Sequence, residues 1–93
     1  MDIASISHKA LRRFVETGKA KGMIAPERIA DMIAFMAAAS SVDELAVPPN
    51  FGFHPLTGDR KGRYAMTVTR NWRLTFKLVD ATTVADLDLE DYH

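Results

Sequence analysis

Cysteine is absent from all 93 residues, so neither a disulfide framework nor a thiolate metal site can stabilise the chain. An apolar core must suffice, helped by any partner, and a reducing cytoplasm suits such a protein. Long hydrophobic runs are missing too. No stretch reaches the roughly 18 apolar residues that cross a bilayer, and Met1-Asp2-Ile3-Ala4-Ser5-Ile6 has neither the basic start nor the apolar length of an export signal. The expected location is the cytoplasm, away from the membrane. Neither linker, internal repeat nor low-complexity tract interrupts the sequence. With 47% hydrophobic residues it is too apolar for disorder and too short for two cores, so residues 1–93 are expected to form one domain.

Net charge is lacking as well, which at first argues against nucleic acid, because neutralising phosphate is the main source of non-specific affinity. The average conceals a sorting along the chain. Residues 1–28 carry +3 (six basic, three acidic), 29–50 carry −3, 51–79 carry +5 (six basic, one acidic) and 80–93 carry −5. If Arg60, Lys61, Arg63, Arg70 and Arg73 share a face, a neutral molecule still presents a positive field there. The acidic tail must then point elsewhere or pair with that face.

The first half reads as helical. Ile3 and Ile6 suggest a short first strand within Asp2 to Ile6, and Ser7 is suited to capping a helix in which Leu11, Phe14 and Val15 recur on one side. Gly18 is its natural stop. Pro26 opens a second helix, with Ile29, Met32, Ile33 and Met36 as its apolar stripe to about Ala39. Val42 to Leu45 adds a turn before Pro48-Pro49-Asn50 forbids helix.

The second half reads as sheet. Phe51 to Leu56 is expected to be extended because His54 precedes proline, and Thr57 to Gly62 is a turn bracketed by glycines. Tyr64, Met66 and Val68 alternate with smaller residues, as do Trp72, Leu74, Phe76 and Leu78 with Arg73, Thr75 and Lys77, giving two strands joined at Arg70-Asn71. Ala85, Leu87 and Leu89 alternate with Asp86, Asp88 and Glu90 in a last strand. The fold class is α+β: two N-terminal helices packed on a mainly antiparallel sheet of about four or five strands.

The remaining chemistry is concentrated in His54-Pro55-Leu56, in Gly58-Asp59-Arg60-Lys61-Gly62-Arg63, in Asn71-Trp72-Arg73 and in the terminal Asp91-Tyr92-His93. Imidazoles, a phenol, a carboxylate and guanidiniums can move protons around a phosphodiester without a metal. No Cys/His/Asp cluster has ligand spacing, so neither metal nor cofactor is expected. Cleaving RNA takes a base for the ribose 2′-OH, a cation for the charge building on phosphate and an acid for the leaving 5′-oxygen. His54 and His93 can serve as base or acid, and Arg73 can fork onto two phosphate oxygens. Asp91 either fixes a histidine tautomer or acts as base, and Tyr92 either stacks on a base or donates to phosphate. Arg60, Lys61, Arg63, Arg70 and Asn71 are the candidate RNA contacts. Each also has a plainer reading: a strand-end histidine, a solvated strand face, a solubilising turn, a frayed terminus.

These motifs, from Phe53-His54-Pro55-Leu56-Thr57-Gly58-Asp59-Arg60-Lys61-Gly62-Arg63-Tyr64 through Asn71-Trp72-Arg73-Leu74-Thr75-Phe76 to Glu90-Asp91-Tyr92-His93, resemble the HigB-type killer toxins of the RelE/ParE superfamily. The stretch from His8-Lys9 to Gly18 is similar to that family's opening helix. The resemblance implies a compact fold of microbial ribonuclease type. It also implies a toxin inhibited by a helix-turn-helix antitoxin (HigA-like), with which it forms a hetero-oligomer. Such a toxin enters the ribosomal A site and cuts messenger RNA there, without metal. Two departures stand out: Thr57 replaces a frequent lysine, which would either pass phosphate binding to Lys61 or Arg60 or leave a slower protein, and Tyr64 replaces a usual tryptophan as a packing change. Two other readings remain open, a ParE-like poison of gyrase that needs no general base, and a degenerate toxin that only binds its antitoxin.

Overall fold

A computed structural model describes residues 1–91. Chain order is β1 (Asp2–Ile3), α1 (Lys9–Thr17), α2 (Pro26–Ala38), β2 (His54–Pro55), β3 (Arg63–Thr67), β4 (Trp72–Asp80) and β5 (Thr83–Asp91), with 3-10 turns at Val42–Ala46 and Gly58–Arg60. The strands form one sheet in the order β1-β5-β4-β3-β2. Pairing is antiparallel throughout except for β1, which runs parallel to β5. The expected α+β arrangement is what forms.

Alternation drives the layering. Met66, Leu74, Phe76, Val84, Leu87 and Leu89 point to one face and are buried with Leu11 of α1, Ile29, Met32 and Met36 of α2, and Leu45. Tyr64 stacks on Phe53 at 5.5 Å and on Phe76 at 5.9 Å, a packing role for the position that departs from the family pattern. The Met1 ammonium donates to the carbonyls of Met36, Ala37 and Ala39, setting a positive charge against the negative end of α2.

Five local expectations are corrected. His8, not Ser7, caps α1: its Nδ1 accepts from Leu11 N at 3.1 Å, while the Ser7 hydroxyl donates to the Asp86 carboxylate. Val15 is exposed, not part of the buried stripe, because its side of α1 borders a shallow groove with Phe14, Ala30, Ile33 and Ala34. The first strand stops at Ile3, and Ile6 makes only an isolated bridge to Leu87. Extension before Leu56 is confined to His54–Pro55, because Asn50, Phe51 and Gly52 turn through positive φ of 36°, 47° and 70°. The last strand starts at Thr83 and carries a bulge: Thr75 pairs Asp88 and Lys77 pairs Ala85, so β5 holds one extra residue. Asp86, at φ 55°, takes up that residue. The phase therefore changes, and Val84, Leu87 and Leu89 face the core while Ala85 faces the other way.

Candidate active site

The register fixes what stands on the sheet face turned away from the helices. His54, Ala65, Thr75 and Asp88 make one cross-strand row, and Thr67, Arg73 and Glu90 make the next. Directly paired residues share a face. His54 and Arg73 thus rise from the same face, two strands or about 10 Å apart across the sheet and one row apart along it.

His54 is exposed on the edge strand β2, and its Nδ1 lies 2.8 Å from the Gly52 carbonyl oxygen. A carbonyl can only accept, so Nδ1 carries the proton and, in the neutral ring, Nε2 keeps its lone pair. The carbonyl is held there by the left-handed turn before it. Gly52 has φ 70°, where a side chain is strained, and a β-carbon on it would stand 3.0 Å from Thr67 Oγ1, which would have to give way. Arg28 ties the same turn to the sheet, donating to Thr67 O at 3.1 Å with its guanidinium 5.2 Å over the Phe51 ring.

Glu90 is the electrostatic centre of this face. The Arg60 side chain, from the turn joining β2 to β3, reaches across to it with both forks, Nη1 to Oε1 at 3.0 Å and Nη2 to Oε2 at 2.8 Å. Arg73 Nη2 stands 3.7 Å from Oε1, and the Thr75 hydroxyl donates to Oε2. The Arg60 bond holds the Glu90 carboxyl down at about 2 against an ordinary 4.5, with Thr75 and the Arg73 charge acting in the same direction and burial opposing them. Reciprocally, Glu90 raises the Arg60 guanidinium above its ordinary value. Arg73 and Glu90 have side-chain exposures of 19% and 22%, while Arg60 at 38% stands at the rim.

The other candidates separate. Arg63 stands on the same sheet face, one row beyond Thr75, but its guanidinium is engaged there: Nη1 pairs Asp86 Oδ2 at 2.8 Å and Nη2 donates to Asp86 O at 3.0 Å, so it pins the bulge. Asp86 is lowered by the Ser7 hydroxyl first and by Arg63 second. Lys61 is exposed in the turn beside Arg60, and Thr57, also exposed, accepts Arg60 N through its carbonyl at 3.2 Å. Arg70 and Asn71 are exposed in the β3–β4 connection, at the end of the sheet where β5 finishes. Asp91 pairs with Trp72 at that end, and alternation directs it to the opposite face from Glu90. Tyr92 and His93 lie outside the described residues.

Three comparisons bear on this arrangement. The model of the HigB-like toxin family, described as RelE-like toxins of type II toxin-antitoxin systems, matches residues 4–93. This chain belongs to the HigB-like toxin family. A protein of Proteus vulgaris named Endoribonuclease HigB is 37% identical over 93 residues, covering 98% of this chain and 99% of its own length. Among solved structures, YafQ from E. coli superposes with a TM-score of 0.63 at 19% identity, covering 97% of this chain and 91% of its own. The YoeB/ParE toxin from Agrobacterium tumefaciens gives 0.56 at 16% identity over the whole of both chains. YafQ in an E. coli DinJ-YafQ toxin-antitoxin complex gives 0.55 at 21% identity, covering 92% and 88%. The HigB-like toxin therefore has the RelE-like fold, and the sheet face just described lies within the part matched by the family.

Among the described residues no three His, Cys, Asp or Glu side chains gather as metal ligands, and no helix is long and apolar enough to cross a membrane. Sequence reasoning had Glu90 only within the acidic tail that points elsewhere or pairs with the basic face, and it missed Thr75 and the Gly52 carbonyl. The signal for Glu90 was present in the sorted charge: a −5 tail must avoid or meet a +5 segment, and here it meets it. Nothing in the pattern singles out Thr75 or a backbone carbonyl.

Proposed function

We propose that this HigB-like toxin is a ribosome-dependent endoribonuclease that cuts messenger RNA in the A site by acid–base chemistry of its own side chains. The observation that carries the reading is the shared face of His54 and Arg73, with the His54 tautomer fixed by Gly52 O. Both family membership and the name of the Proteus relative support it.

In the reaction a proton leaves the ribose 2′-OH, the 2′-oxygen bonds to the adjacent phosphorus, and the bond to the 5′-oxygen breaks as that oxygen is protonated. The products are a 2′,3′-cyclic phosphate and a 5′-hydroxyl. His54 Nε2 takes or returns one of these protons and His93 handles the other, while Asp91, directed to the opposite face, acts only through the terminal residues that follow it. Arg73 balances the charge that grows on the phosphate oxygens, and Tyr92 stacks on a base or donates to phosphate. Arg60, Lys61, Arg70 and Asn71 contact the RNA backbone, while Arg63 contributes by holding the bulge. Its partners are the ribosome with its message and a helix-turn-helix antitoxin of HigA type, as DinJ partners YafQ.

Mapping RNA ends in cells expressing the chain tests this directly. Cleavage inside translated frames should appear with the intact chain, disappear when translation initiation is blocked, and fall at least about 100-fold for His54→Ala. Growth arrest with intact messages would instead favour a poison of ParE type.

A further inference from the structure

We propose that the Glu90 carboxylate stands where a backbone phosphate of bound RNA sits, and that binding exchanges one anion for the other on Arg60 beside Arg73. The inference rests on the reading of this face as an RNA site and names the subsite. A forked guanidinium–carboxylate pair and a forked guanidinium–phosphate pair have the same donor geometry, so the cradle that fits Glu90 also fits a phosphodiester. Two guanidiniums and the Thr75 hydroxyl converge on this one carboxylate, so the donors outnumber the anion they hold.

Mobility and energy favour exchange at Arg60. It comes from a short turn between Gly58 and Gly62, and it is the most exposed member of the cluster. Thr75 lies beneath the pair, fully buried although it faces away from the helices, and its hydroxyl bond to Glu90 keeps that carboxylate anchored as Arg60 parts from it. A partly exposed ion pair is a weak latch, and a polyanion held at further points can displace it. The latch pairs part of the basic 51–79 segment with the acidic tail in a chain of zero net charge.

The test uses the full chain and a fluorescent single-stranded oligodeoxynucleotide, which has no 2′-OH and so reports binding apart from cleavage. Glu90→Gln keeps the side chain's length and an acceptor for Thr75 while removing the charge. Its affinity should rise about 10-fold at low salt, with the advantage shrinking as salt screens it. Arg60→Ala should abolish that gain in the Glu90→Gln background and also weaken binding by the parent chain. A Glu90→Gln affinity that stays the same or falls, or a gain that survives Arg60→Ala, overturns the proposal. If Glu90→Gln does not fold, the Arg60 side-chain Nε–H resonance of the parent chain is followed during titration with the same oligonucleotide. A saturable shift supports exchange and an unmoved signal overturns it. Absence of message cleavage in translation would count against the nuclease reading alone, since neither measurement involves cleavage.

Discussion

At the scale of single residues, Glu90 links the chemistry of the face to the stability of the fold. Its carboxyl is held at about 2, below the ordinary 4.5, so the unfolded chain binds that proton more tightly than the folded one. The stabilisation is therefore complete above about pH 4.5 and is lost as pH falls towards 2. Asp86 and Asp80 are lowered in the same direction, by Ser7 and Thr82 respectively, and add to the acid limb. Thermal melting against pH should show a shallower acid limb for Glu90→Gln than for the parent chain; identical limbs would mean that the ion pair contributes nothing to folding. In the sequence His54 stands out as one of three histidines, whereas Arg73 is one of seven arginines and is marked out only by its motif Asn71-Trp72-Arg73. Glu90 was harder to read, because its partners are set by strand register, which places it opposite Arg73, and by an arginine thirty residues earlier in the chain.

At the scale of elements, the informative departure is the bulge in β5. Alternation alone reads Ala85, Leu87 and Leu89 as one face, yet Asp86 at φ 55° inserts a residue and turns Ala85 outward. Arg63 grips both the carboxylate and the carbonyl of Asp86, and Ser7 adds a third bond from the segment before α1. A β-branched residue tolerates this backbone badly, whereas asparagine visits it readily. Both substitutions remove the Arg63 ion pair, and valine also lacks the oxygen that asparagine keeps for Ser7 and Arg63, so their difference sums the backbone strain and those hydrogen bonds. In urea denaturation, Asp86→Val should lose about 1–3 kcal/mol more than Asp86→Asn. Equal losses would show that the positive φ is unimportant. Strand existence was legible from period two, and α2 from Pro26 and its apolar stripe. The turn at Asn50–Gly52 was not, because its left-handed path depends on Arg28 and Thr67, distant in sequence.

At the scale of the whole molecule, the two faces of one sheet divide the work. One is spent on burial beneath α1 and α2, and the other carries His54, Arg73, Glu90 and the turn that brings Arg60 over them. The helices leave the second face uncovered because their apolar residues are already matched to the first, a division that the alternating sequence encodes directly. Charge sorted along the chain becomes charge paired in space, basic residues of the 51–79 segment meeting acidic ones of the tail. The most direct test is primer extension in a reconstituted translation system on a defined message. The parent chain should cut at a codon in the A site and leave a 2′,3′-cyclic phosphate. His54→Ala and Arg73→Ala should each slow cutting at least about 100-fold while melting as the parent does, and a single 2′-deoxy substitution at the cut nucleotide should abolish it. Cutting that survives the deoxy substitution, or proceeds unchanged in both folded variants, would contradict the assignment of this face as the catalytic one.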